Sequence, residues 1–505
     1  MLPPAIISFY QKNKLASVLF VALVLRLLSA VFSTGYGMHD DHFITIEVAQ
    51  SWIDGENMNG WLPDKDKGFQ EPSGHSLTYP SLMCGILYTL ESVGITHPAT
   101  KMLWIRLLHA MLSTLVVYWG YKIMRHLYDE KIGIISAWAL ALFWMFPMLG
   151  VRNLVEVVCI PPLFAGTWMV LNNPKQLWRL LYAAGLVTGL AFSIRFQTGF
   201  YLLGMGLAIW IQQGFLRALV FGMGVMSSVL LFQGIVDMYV WGYPFAELRG
   251  YIDYNLKSSG LYPNGPWYNY LLLLAGVLIP PYSFFTFFGF AKEWKKILLI
   301  ALPVLLFLIF HSWFPNKQER FILPIVPFLL MTGLAGWQNF TTGSAFWKRN
   351  KRLLNGFLIF CVSLNMLLLL LLSFSSSKKN RVDAMLYLSR YRNISCLAIE
   401  NSNHANSVSM PKFYLDHQWP TQLSILSDTD IPKLKEELLS PGFCKPPYIV
   451  FLEEKNIEQR LVLMKELFPS LTYETTIQPS FTDEVMHWLN PKNVNQVTYI
   501  YKTGF

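Results

Sequence analysis

The sequence predicts a multi-pass α-helical membrane protein that ends in a small α/β domain. Of its 505 residues, 53% are hydrophobic and only 14% are charged, whereas about a quarter of the residues in a soluble domain are charged. Apolar runs of roughly 20 residues, the length that crosses a bilayer, recur along residues 1–374. From residue 375 to residue 505 the pattern changes to alternating helix and strand signals.

About 11 transmembrane helices are predicted from the apolar runs. The predicted segments are 15–32, 103–123, 132–149, 155–171, 181–196, 199–211, 216–236, 271–290, 297–310, 322–336 and 353–374. The first segment lacks a small-residue cleavage pattern, and its apolar core is too long for a signal peptide. It is therefore predicted to anchor the chain with the N-terminus in the cytoplasm.

The net charge of +9 has a membrane explanation. If the N-terminus, with Lys12 and Lys14, is cytoplasmic, the basic residues between the spans fall in cytoplasmic loops, as the positive-inside rule requires. Binding of nucleic acid is therefore not predicted. The basic loop residues are Lys122, Arg125, Lys131, Lys175, Arg179, Arg217, Lys292, Lys295, Lys296, Lys348, Arg349, Lys351 and Arg352.

Three polar stretches are predicted to face the non-cytoplasmic side, namely 35–100, 237–267 and 311–320. The first is long for a connection, and within it 44–53 and 80–90 are predicted to form helices at the membrane interface. Long loops that are not simple connectors usually carry function. The candidate site residues are therefore sought in these stretches.

The C-terminal residues 375–505 are predicted to form an extracytoplasmic α/β domain after a linker at 375–380. Helices are predicted at 382–391 and 459–467, and strands at 396–399, 448–452, 471–477 and 496–502. No glycine-rich nucleotide-binding motif is present. If the domain is extracytoplasmic, Cys396 and Cys444 could pair. Its role is left open between acceptor recognition, partner docking and stability.

Paired carboxylates follow the first predicted span, at Asp40 and Asp41, with Glu47 shortly after them. If a helix starts here, one of the two aspartates is its N-cap and the acids favour its first turns. Paired carboxylates at the mouth of a membrane domain also suit a general base or a cation site. Spacing alone leaves both interpretations open.

Two cations three residues apart, Lys317 and Arg320, mark the third outer stretch. One helical face would present both of them, and such a pair suits a phosphate group. The alternative is an ordinary pair of interfacial anchors. Arg152 and Arg195 lie at predicted span ends, where they could join this site or pair with acids such as Glu156.

Arg26 lies near the middle of the first predicted span. A charged side chain inside the membrane is costly, and it usually faces a cavity or a partner. A role linked to function and a purely structural role are both open for this residue.

Four motifs in order resemble glycosyltransferase family 22, the membrane mannosyltransferases of the GT-C superfamily. The matching residues are Arg26-Leu27-Leu28 followed by Asp40-Asp41-His42-Phe43-Ile44-Thr45-Ile46-Glu47, then Asp237 with Gly242, then Tyr254-Asn255 with Tyr262-Pro263-Asn264-Gly265-Pro266-Trp267-Tyr268, and finally His311-Ser312 with Asn316-Lys317-Gln318-Glu319-Arg320-Phe321. The sequence departs from the family pattern at Asp41, Ile44, Asn316 and Gln318, where the family has Glu, Gln, His and Glu. The carboxylate pair and the Lys/Arg pair are kept.

The resemblance implies a GT-C fold and an inverting transfer of a sugar, with mannose favoured, from a polyprenyl- or dolichyl-phosphate donor to a lipid-linked or glycan acceptor. Asp40 would be the general base with Asp41 beside it, and no cofactor would be required, although a divalent metal at Asp40, Asp41 and Glu47 is possible. The donor phosphate would be bound by Lys317, Arg320, Arg152 and Arg195. The acceptor side would be shaped by His42, Glu47, Asp237, Tyr254, Asn255, Trp267, Tyr268 and His311.

The membrane implied by the resemblance is that of the endoplasmic reticulum or the bacterial inner membrane, with the site on the lumenal or periplasmic side. Two alternatives to a transferase are open. A transporter or flippase of lipid-linked glycans would favour inverted repeats, and the sequence shows none. A non-catalytic subunit of a glycan-assembly complex is kept open by the departures at Asn316 and Gln318.

Overall fold

The computed structural model describes residues 10–63, 71–173, 175, 177–258, 265–490 and 495–505. The chain divides into two compact units that do not follow chain order. Unit 1 comprises Met1–Ala30, Asn59–Leu82 and Arg106–Ser373, and unit 2 comprises Val31–Met58, Met83–Ile105 and Phe374–Phe505. Unit 2 therefore adds to the C-terminal segment two stretches that the sequence analysis assigned to the first span and the first outer loop.

Most of the described helices up to residue 373 follow the apolar runs of the sequence. In chain order they are α1 Lys14–Phe32, α2 Val48–Ile53, α3 Thr78–Ser92, α4 Pro98–Leu127, α5 Glu130–Leu142, α6 Phe146–Leu149, α7 Val155–Val158, α8 Ile160–Leu171, α9 Trp178–Ile194, α10 Gly199–Gln213, α11 Phe215–Val229, α12 Ile235–Trp241, α13 Ala246–Ser258, α14 Asn269–Val277, α15 Tyr282–Glu293, α16 Leu298–Trp313, α17 Val326–Gly343, α18 Ala345–Arg349 and α19 Lys351–Ser373.

Short helical turns of other types join some of these helices. They are π turns at Phe43–Glu47 and Leu230–Gly234, and 3-10 turns at Met58–Gly60, Phe196–Thr198 and Glu319–Ile325.

Five stretches of the described chain are long and apolar enough to cross a membrane. They are Lys14–Phe32, Pro98–Leu127, Phe215–Trp241, Glu319–Gly343 and Lys351–Ser373. Shorter apolar helices at Val155–Leu171, Trp178–Ile194 and Leu298–Trp313 accompany them. The prediction of a multi-pass helical protein is confirmed.

One predicted span is wrong in shape. The apolar run at 271–290 predicts a single helix, but α14 and α15 meet at an angle of 114°. The break falls at Pro280 and Pro281, and proline interrupts a helix because it lacks an N–H and clashes with the preceding turn. Hydropathy averages over such a break, so the sequence analysis did not detect it.

Small residues allow the helices of unit 1 to pack closely. A Cβ atom at Gly185 of α9 or at Gly224 of α11 would collide with the backbone of the facing helix. The same holds for α15 and α17, where Gly289 opposes Gly333 and Gly336. Close backbone approach at small residues is the usual way in which membrane helices gain packing contacts.

The C-terminal part of unit 2 is a mixed α/β domain. Its elements are α20 Lys379–Leu388, β1 Cys396–Asn401, a 3-10 turn Lys412–Leu415, β2 Thr421–Leu426, α21 Ile431–Leu439, β3 Tyr448–Leu452, α22 Ile457–Leu467, β4 Thr472–Ile477, α23 Phe481–Leu489 and β5 Thr498–Lys502. The five strands lie in the order β2-β1-β3-β5-β4. The first three are parallel, and β5 runs antiparallel to β3 and β4.

The domain core lies between the sheet and the two helices α21 and α22. The central strands β1 and β3 are buried along their whole length, as expected for parallel strands covered on both faces. Cys396 at the start of β1 is joined to Cys444 in a disulfide with a Cα separation of 5.7 Å. Four of the five strands were predicted from the sequence, whereas β2 was not. The helices α21 and α23 were not predicted either.

Candidate functional site

A buried cluster of opposite charges forms where α7, α9 and the turn Glu319–Ile325 meet in unit 1. Glu156 lies in the first turn of α7 and is fully buried. Its Oε1 atom is 2.9 Å from Nη2 of Arg195 and 3.4 Å from Nε of Arg320. Both guanidinium groups also lie over the ring of Phe321, at 5.1 and 5.5 Å. We call Glu156, Arg195 and Arg320 the cation cluster.

The cation cluster contains two guanidinium groups and one carboxylate. Two guanidinium groups share one carboxylate, and their side chains are only about a tenth exposed. A buried charge is costly unless a partner compensates it. The cluster is therefore suited to receive an anion, and guanidinium groups favour phosphate and carboxylate.

Buried hydrogen-bond acceptors without a donor lie on the segments that carry this cluster and on α16 with the loop that follows it, where the His311 ring is 6.4 Å from that of Phe321. Among the described residues, Oε2 of Glu156, Oδ1 of Asn153, Nε2 of His311 and Oδ1 of Asn316 have no hydrogen-bond partner. The other nitrogen of His311, Nδ1, is 2.7 Å from the Phe307 carbonyl. Most buried polar atoms in proteins are satisfied, so these acceptors indicate a place for a ligand that brings hydroxyl groups.

Lys317 does not share a helical face with Arg320, contrary to the prediction. Its Nζ donates to the carbonyls of His311 and Ser312, at 2.8 and 2.7 Å, and to that of Phe314. Lys317 therefore closes the C-terminal end of α16, the position that favours a cation. Burial lowers its pKa below the ordinary value.

Lys317 and Arg320 do not share a helical face because the chain between them is not helical throughout. The backbone at Gln318 is extended, and the 3-10 turn begins only at Glu319. The three-residue spacing therefore does not repeat a helical turn.

The remaining predicted cation, Arg152, is buried in the bend that precedes α7.

The hydrogen bonds of Arg26 run to neutral groups. Its guanidinium donates to the hydroxyl of Ser113 at 3.2 Å and to the carbonyls of Ala22 and Leu140 at 3.1 and 3.3 Å. These bonds tie α1 to α4 and α5 within unit 1. They support the structural interpretation of this residue.

Residues 37–54 of unit 2, here called the acidic segment, begin with a turn that Asp41 closes. The Oδ2 atom of Asp41 accepts from the N–H of Gly37 at 2.8 Å, and its Oδ1 accepts from the N–H of Met38 at 3.3 Å. The helical turn that follows starts at Phe43, and its cap residue His42 makes no side-chain capping hydrogen bond to a backbone N–H of the turn. The interpretation that one of the two aspartates is the N-cap of this turn is wrong, because the cap residue is His42 and the carboxylate of Asp41 bonds backward to the preceding turn.

His42 and Glu47 form a buried pair in the same segment. Nε2 of His42 is 3.2 Å from Oε1 of Glu47, and both side chains are inaccessible to solvent. Asp40 lies between Asp41 and the exposed His39 and is itself half-buried. Among the described residues, no group of three or more His, Cys, Asp or Glu side chains is arranged to hold a metal ion.

Asp237 is a fully buried structural acid in unit 1. It accepts from the amide of Gln233 at 2.8 Å and from the N–H of Glu247 at 3.0 Å. Glu247 in turn accepts from the N–H groups of Gly74 and His75, at 2.7 and 3.2 Å. Burial raises the pKa of Glu247 to about 7, against the lowering effect of its hydrogen bonds. Glu247 was not a predicted site residue.

The predicted acceptor-side aromatics are exposed. Trp267 is 66% exposed and contacts Tyr268 edge-on at 5.7 Å, and Tyr254 is about half exposed on α13. Asn255 donates to the carbonyl of Tyr251 within the same helix. Of the motif to which they belong, residues 262–264 lie outside the described residues.

An apolar groove of about 600 Å³ runs between α10 and α11. Gly206 and Gly222 line it, and a Cβ atom at either position would meet only open space. The groove begins at Gly199, four residues after Arg195, and continues to Trp210. At 1.5 Å per helical residue that distance is about 17 Å.

The sequence of this chain is similar to those of known mannosyltransferases. Residues 17–422 match the profile of the Alg9-like mannosyltransferase family. The chain belongs to this family. It is 25% identical over 341 residues to the mannosyltransferase APTG1 of Arabidopsis thaliana, an alignment that covers 64% of this chain and 59% of the relative. It is 28% identical over 153 residues to GPI mannosyltransferase 3 of Saccharomyces cerevisiae, covering 27% of this chain and 24% of the relative.

Solved structures confirm the predicted GT-C fold of this family member. ArnT from Cupriavidus metallidurans bound to undecaprenyl phosphate has a TM-score of 0.61 at 13% identity, over 96% of this chain and 97% of ArnT. Its apo state has a TM-score of 0.63 at 12% identity, over 97% and 98%. The apo oligosaccharyltransferase of Archaeoglobus fulgidus has a TM-score of 0.51 at 12% identity, over 88% and 70%. At these identities the likeness concerns the fold alone.

Proposed function

We propose that this chain is an inverting mannosyltransferase that uses a polyprenyl- or dolichyl-phosphate mannose donor and a lipid-linked or glycan acceptor. The cation cluster is the observation that carries the proposal. Arg195 and Arg320 share the single carboxylate of Glu156 inside a largely buried site. Both guanidinium groups could bind a phosphate through charge-assisted hydrogen bonds.

The hydroxyl groups of the donor's mannose suit the buried hydrogen-bond acceptors near the cation cluster. Its hydroxyl groups would donate to the buried atoms that lack a donor, Oε2 of Glu156, Nε2 of His311 and Oδ1 of Asn316. Guanidinium groups for the phosphate and acceptors for hydroxyl groups together match a sugar phosphate. A phosphate alone would use only the guanidinium groups, and a sugar alone would use only the hydrogen-bond acceptors.

The donor's lipid tail suits the groove between α10 and α11. Its wall is apolar and its open volume is about 600 Å³. The groove starts near the end of α9 that carries Arg195, so a phosphate at Arg195 would have an apolar path for its tail directly beside it. A cationic head site and an apolar groove are the two features that binding of a lipid phosphate requires.

The chemistry we assign is a single displacement. The acceptor hydroxyl attacks the anomeric carbon, its proton passes to Asp40, and the bond from that carbon to the phosphate oxygen breaks. The electron pair leaves with the lipid phosphate, whose charge the cation cluster stabilises. A general base of this kind supplies about 10²–10⁴ in rate. Asp40 is assigned as the base because it stands first in the carboxylate pair that resembles the family motif, and the carboxylate of Asp41 accepts from the N–H groups of Gly37 and Met38.

The lumenal or periplasmic face is proposed for the reaction on two grounds. The Cys396–Cys444 disulfide in unit 2 belongs to an oxidising compartment. The basic residues collect in loops between the predicted spans, on the side that would be cytoplasmic.

The proposal is tested by transfer of labelled mannose from polyprenyl-phosphate mannose to the lipid-linked glycans that accumulate in cells lacking this chain. Wild-type protein should extend one of these glycans. Asp40→Asn should reduce transfer by roughly 100-fold or more while polyprenyl phosphate still binds. Asp253→Asn, on the exposed face of α13, is the matched control and should transfer normally. Absence of transfer by the wild type, or full activity of Asp40→Asn, would contradict the proposal.

The groove assignment has its own test. Gly206→Leu and Gly222→Leu fill open space without a collision, and leucine favours a helix more than glycine does. Both variants should raise the KM for a long-chain donor by about tenfold, a loss of about 1.4 kcal/mol in binding, and leave a short-chain donor unaffected. Gly356→Leu on α19, which also meets open space, should change neither value. Equal effects on both donors would mean that the tail lies elsewhere.

A further inference from the structure

We infer that residues 412–419 of the C-terminal domain, here called the strap, are a positioning element for the acidic segment that carries Asp40. The inference rests on the proposed function, because it concerns the orientation of the assigned base. The role that it assigns to the C-terminal domain is additional to acceptor recognition, partner docking and stability, the three that the sequence leaves open. All of the contacts that support it lie within unit 2.

The first contact joins the strap to the buried pair of the acidic segment. The backbone N–H of Phe413 donates to Oε1 of Glu47 at 3.1 Å. The same oxygen is 3.2 Å from Nε2 of His42. One carboxylate oxygen therefore links the strap to the acidic segment across 366 positions of sequence.

The second contact fixes the plane of the His42 ring. Tyr414 of the strap stacks on the imidazole at 5.4 Å with an interplanar angle of 10°. Tyr36 stacks on it at 5.1 Å and 19°. His42 is thereby restrained by two aromatic rings in addition to its bond to Glu47. Tyr414 itself is 2% exposed, so its ring has little freedom to move.

The third contact holds the end of α2. Asp54 accepts from Nδ1 of His417 at 2.6 Å and from the indole N–H of Trp419 at 2.8 Å. Residues Asp416 and His417 have positive φ values of 55° and 61°, a conformation that non-glycine residues rarely adopt and that surrounding contacts must support. The strap is therefore held in one shape over the acidic segment.

The opposite end of the turn that holds Asp40 is also tied to the C-terminal domain. Nζ of Lys378 donates to the carbonyl of Gly37 at 2.6 Å, and the N–H of Ser377 donates to the carbonyl of Thr34 at 3.1 Å. The N–H of Gly37 is bonded to Asp41. Asp40 thus lies in a short turn that is fixed at Gly37 on one side and at His42 on the other.

A general base must be held close to its productive geometry, and a displacement of about 1 Å can cost on the order of 100-fold in rate. A domain that served only for stability would have no reason to contact both ends of this one turn. The strap therefore acts through His42 and Glu47 on Asp40, and its residues are positioning residues that need not touch either substrate.

The test compares Tyr414→Ala with Tyr414→Phe in the full-length protein. Tyr414→Ala removes the ring that stacks on His42 and should lower kcat by roughly 10–100-fold with an unchanged KM for the lipid-phosphate donor. Tyr414→Phe keeps the ring and should restore kcat. Tyr473→Ala, an exposed tyrosine of β4 in the same domain, is the matched control and should behave as wild type.

Hydrogen exchange of peptides covering residues 38–54 separates the inference from the proposed function. These peptides should exchange faster in Tyr414→Ala than in wild type or Tyr473→Ala, whether or not mannose is transferred. If Tyr414→Ala does not fold, His417→Gln at the half-exposed end of the strap should give the same pattern with a smaller amplitude. Unchanged kcat and unchanged exchange in Tyr414→Ala would overturn the inference, as would equal losses in Tyr414→Ala and Tyr414→Phe.

Discussion

The cation cluster of unit 1 and the acidic segment of unit 2 bury charged groups in opposite ways. In the cation cluster, two guanidinium groups contact the same carboxylate, and guanidinium groups also suit a phosphate. In the acidic segment, the carboxylates of Asp41 and Glu47 accept hydrogen bonds from backbone N–H groups of the same unit. The buried charges of the cation cluster are therefore suited to bind a ligand, whereas those of the acidic segment stabilise the fold.

The cation cluster should respond to mutation through a loss of ligand binding. Arg320→Ala removes one guanidinium but leaves Arg195 to compensate Glu156. Charge-assisted hydrogen bonds are worth about 1.5–3 kcal/mol, so affinity for polyprenyl phosphate should fall by roughly 10–150-fold. Isothermal titration or competition binding measures this value. Arg249→Ala on exposed α13 is the control, and an unchanged affinity of Arg320→Ala would make the cluster structural.

The acidic segment should respond through stability instead. Glu47→Ala leaves the N–H of Phe413 and the imidazole of His42 without their shared acceptor, at a cost of about 2–3 kcal/mol. The thermal midpoint of unit 2 should fall, while affinity for polyprenyl phosphate in the remaining folded protein should not change. Glu436→Ala on the exposed face of α21 should leave the midpoint in place. A loss of donor affinity without a loss of stability would reverse the assignment of the two regions.

The strap should add a small, pH-dependent contribution to the stability of the folded protein. The hydrogen bond to Asp54 raises the pKa of His417 above its ordinary value, although burial opposes the shift. The side chain also faces Glu91, Asp416 and, at longer range, Lys101. Since the folded pKa is raised, the stabilisation is fully present below the unfolded pKa of about 6.5. It is lost as the pH rises through the folded value.

His417→Gln should therefore lower the thermal midpoint below about pH 6 and match wild type at about pH 9. The expected difference is on the order of 1–2 °C, because His417 is partly exposed and solvent screens the pair. The pKa of Asp54 is affected by burial, which raises it, but hydrogen bonds from His417, Trp419 and Gln50 bring it below its ordinary value. Asp54 thus stays ionised over this pH range. A midpoint difference that grew with pH would contradict this account.

The sequence predicted the membrane helices well because the relevant signal, apolar length, is local. The break at Pro280 and Pro281 was missed because a hydropathy average does not register two residues. The sequence identified Arg195 and Arg320 as candidates but left their partner open, since Glu156 lies 39 and 164 positions away. It placed Lys317 on the same helical face as Arg320 because spacing alone does not show that Gln318 is extended.

The strap could not be predicted from any local pattern. Phe413 and Tyr414 resemble ordinary apolar residues of a loop, and nothing near them in sequence points to Glu47 or His42. Their role depends on pairing between segments that are 366 residues apart. Such pairing follows from the complete fold, so only a structure or a comparison of many related sequences would reveal it.

The division of unit 2 among three separate stretches has a consequence for biogenesis. Residues 31–58 and 83–105 leave the ribosome long before residues 374–505. At about 5–20 residues per second, the early stretches wait on the order of tens of seconds for their partners. During that interval Glu47 and His42 lack the strap, and a nascent chain shortened at residue 373 would never acquire it. Quality control during membrane insertion should therefore recognise the early stretches as unfinished until synthesis ends.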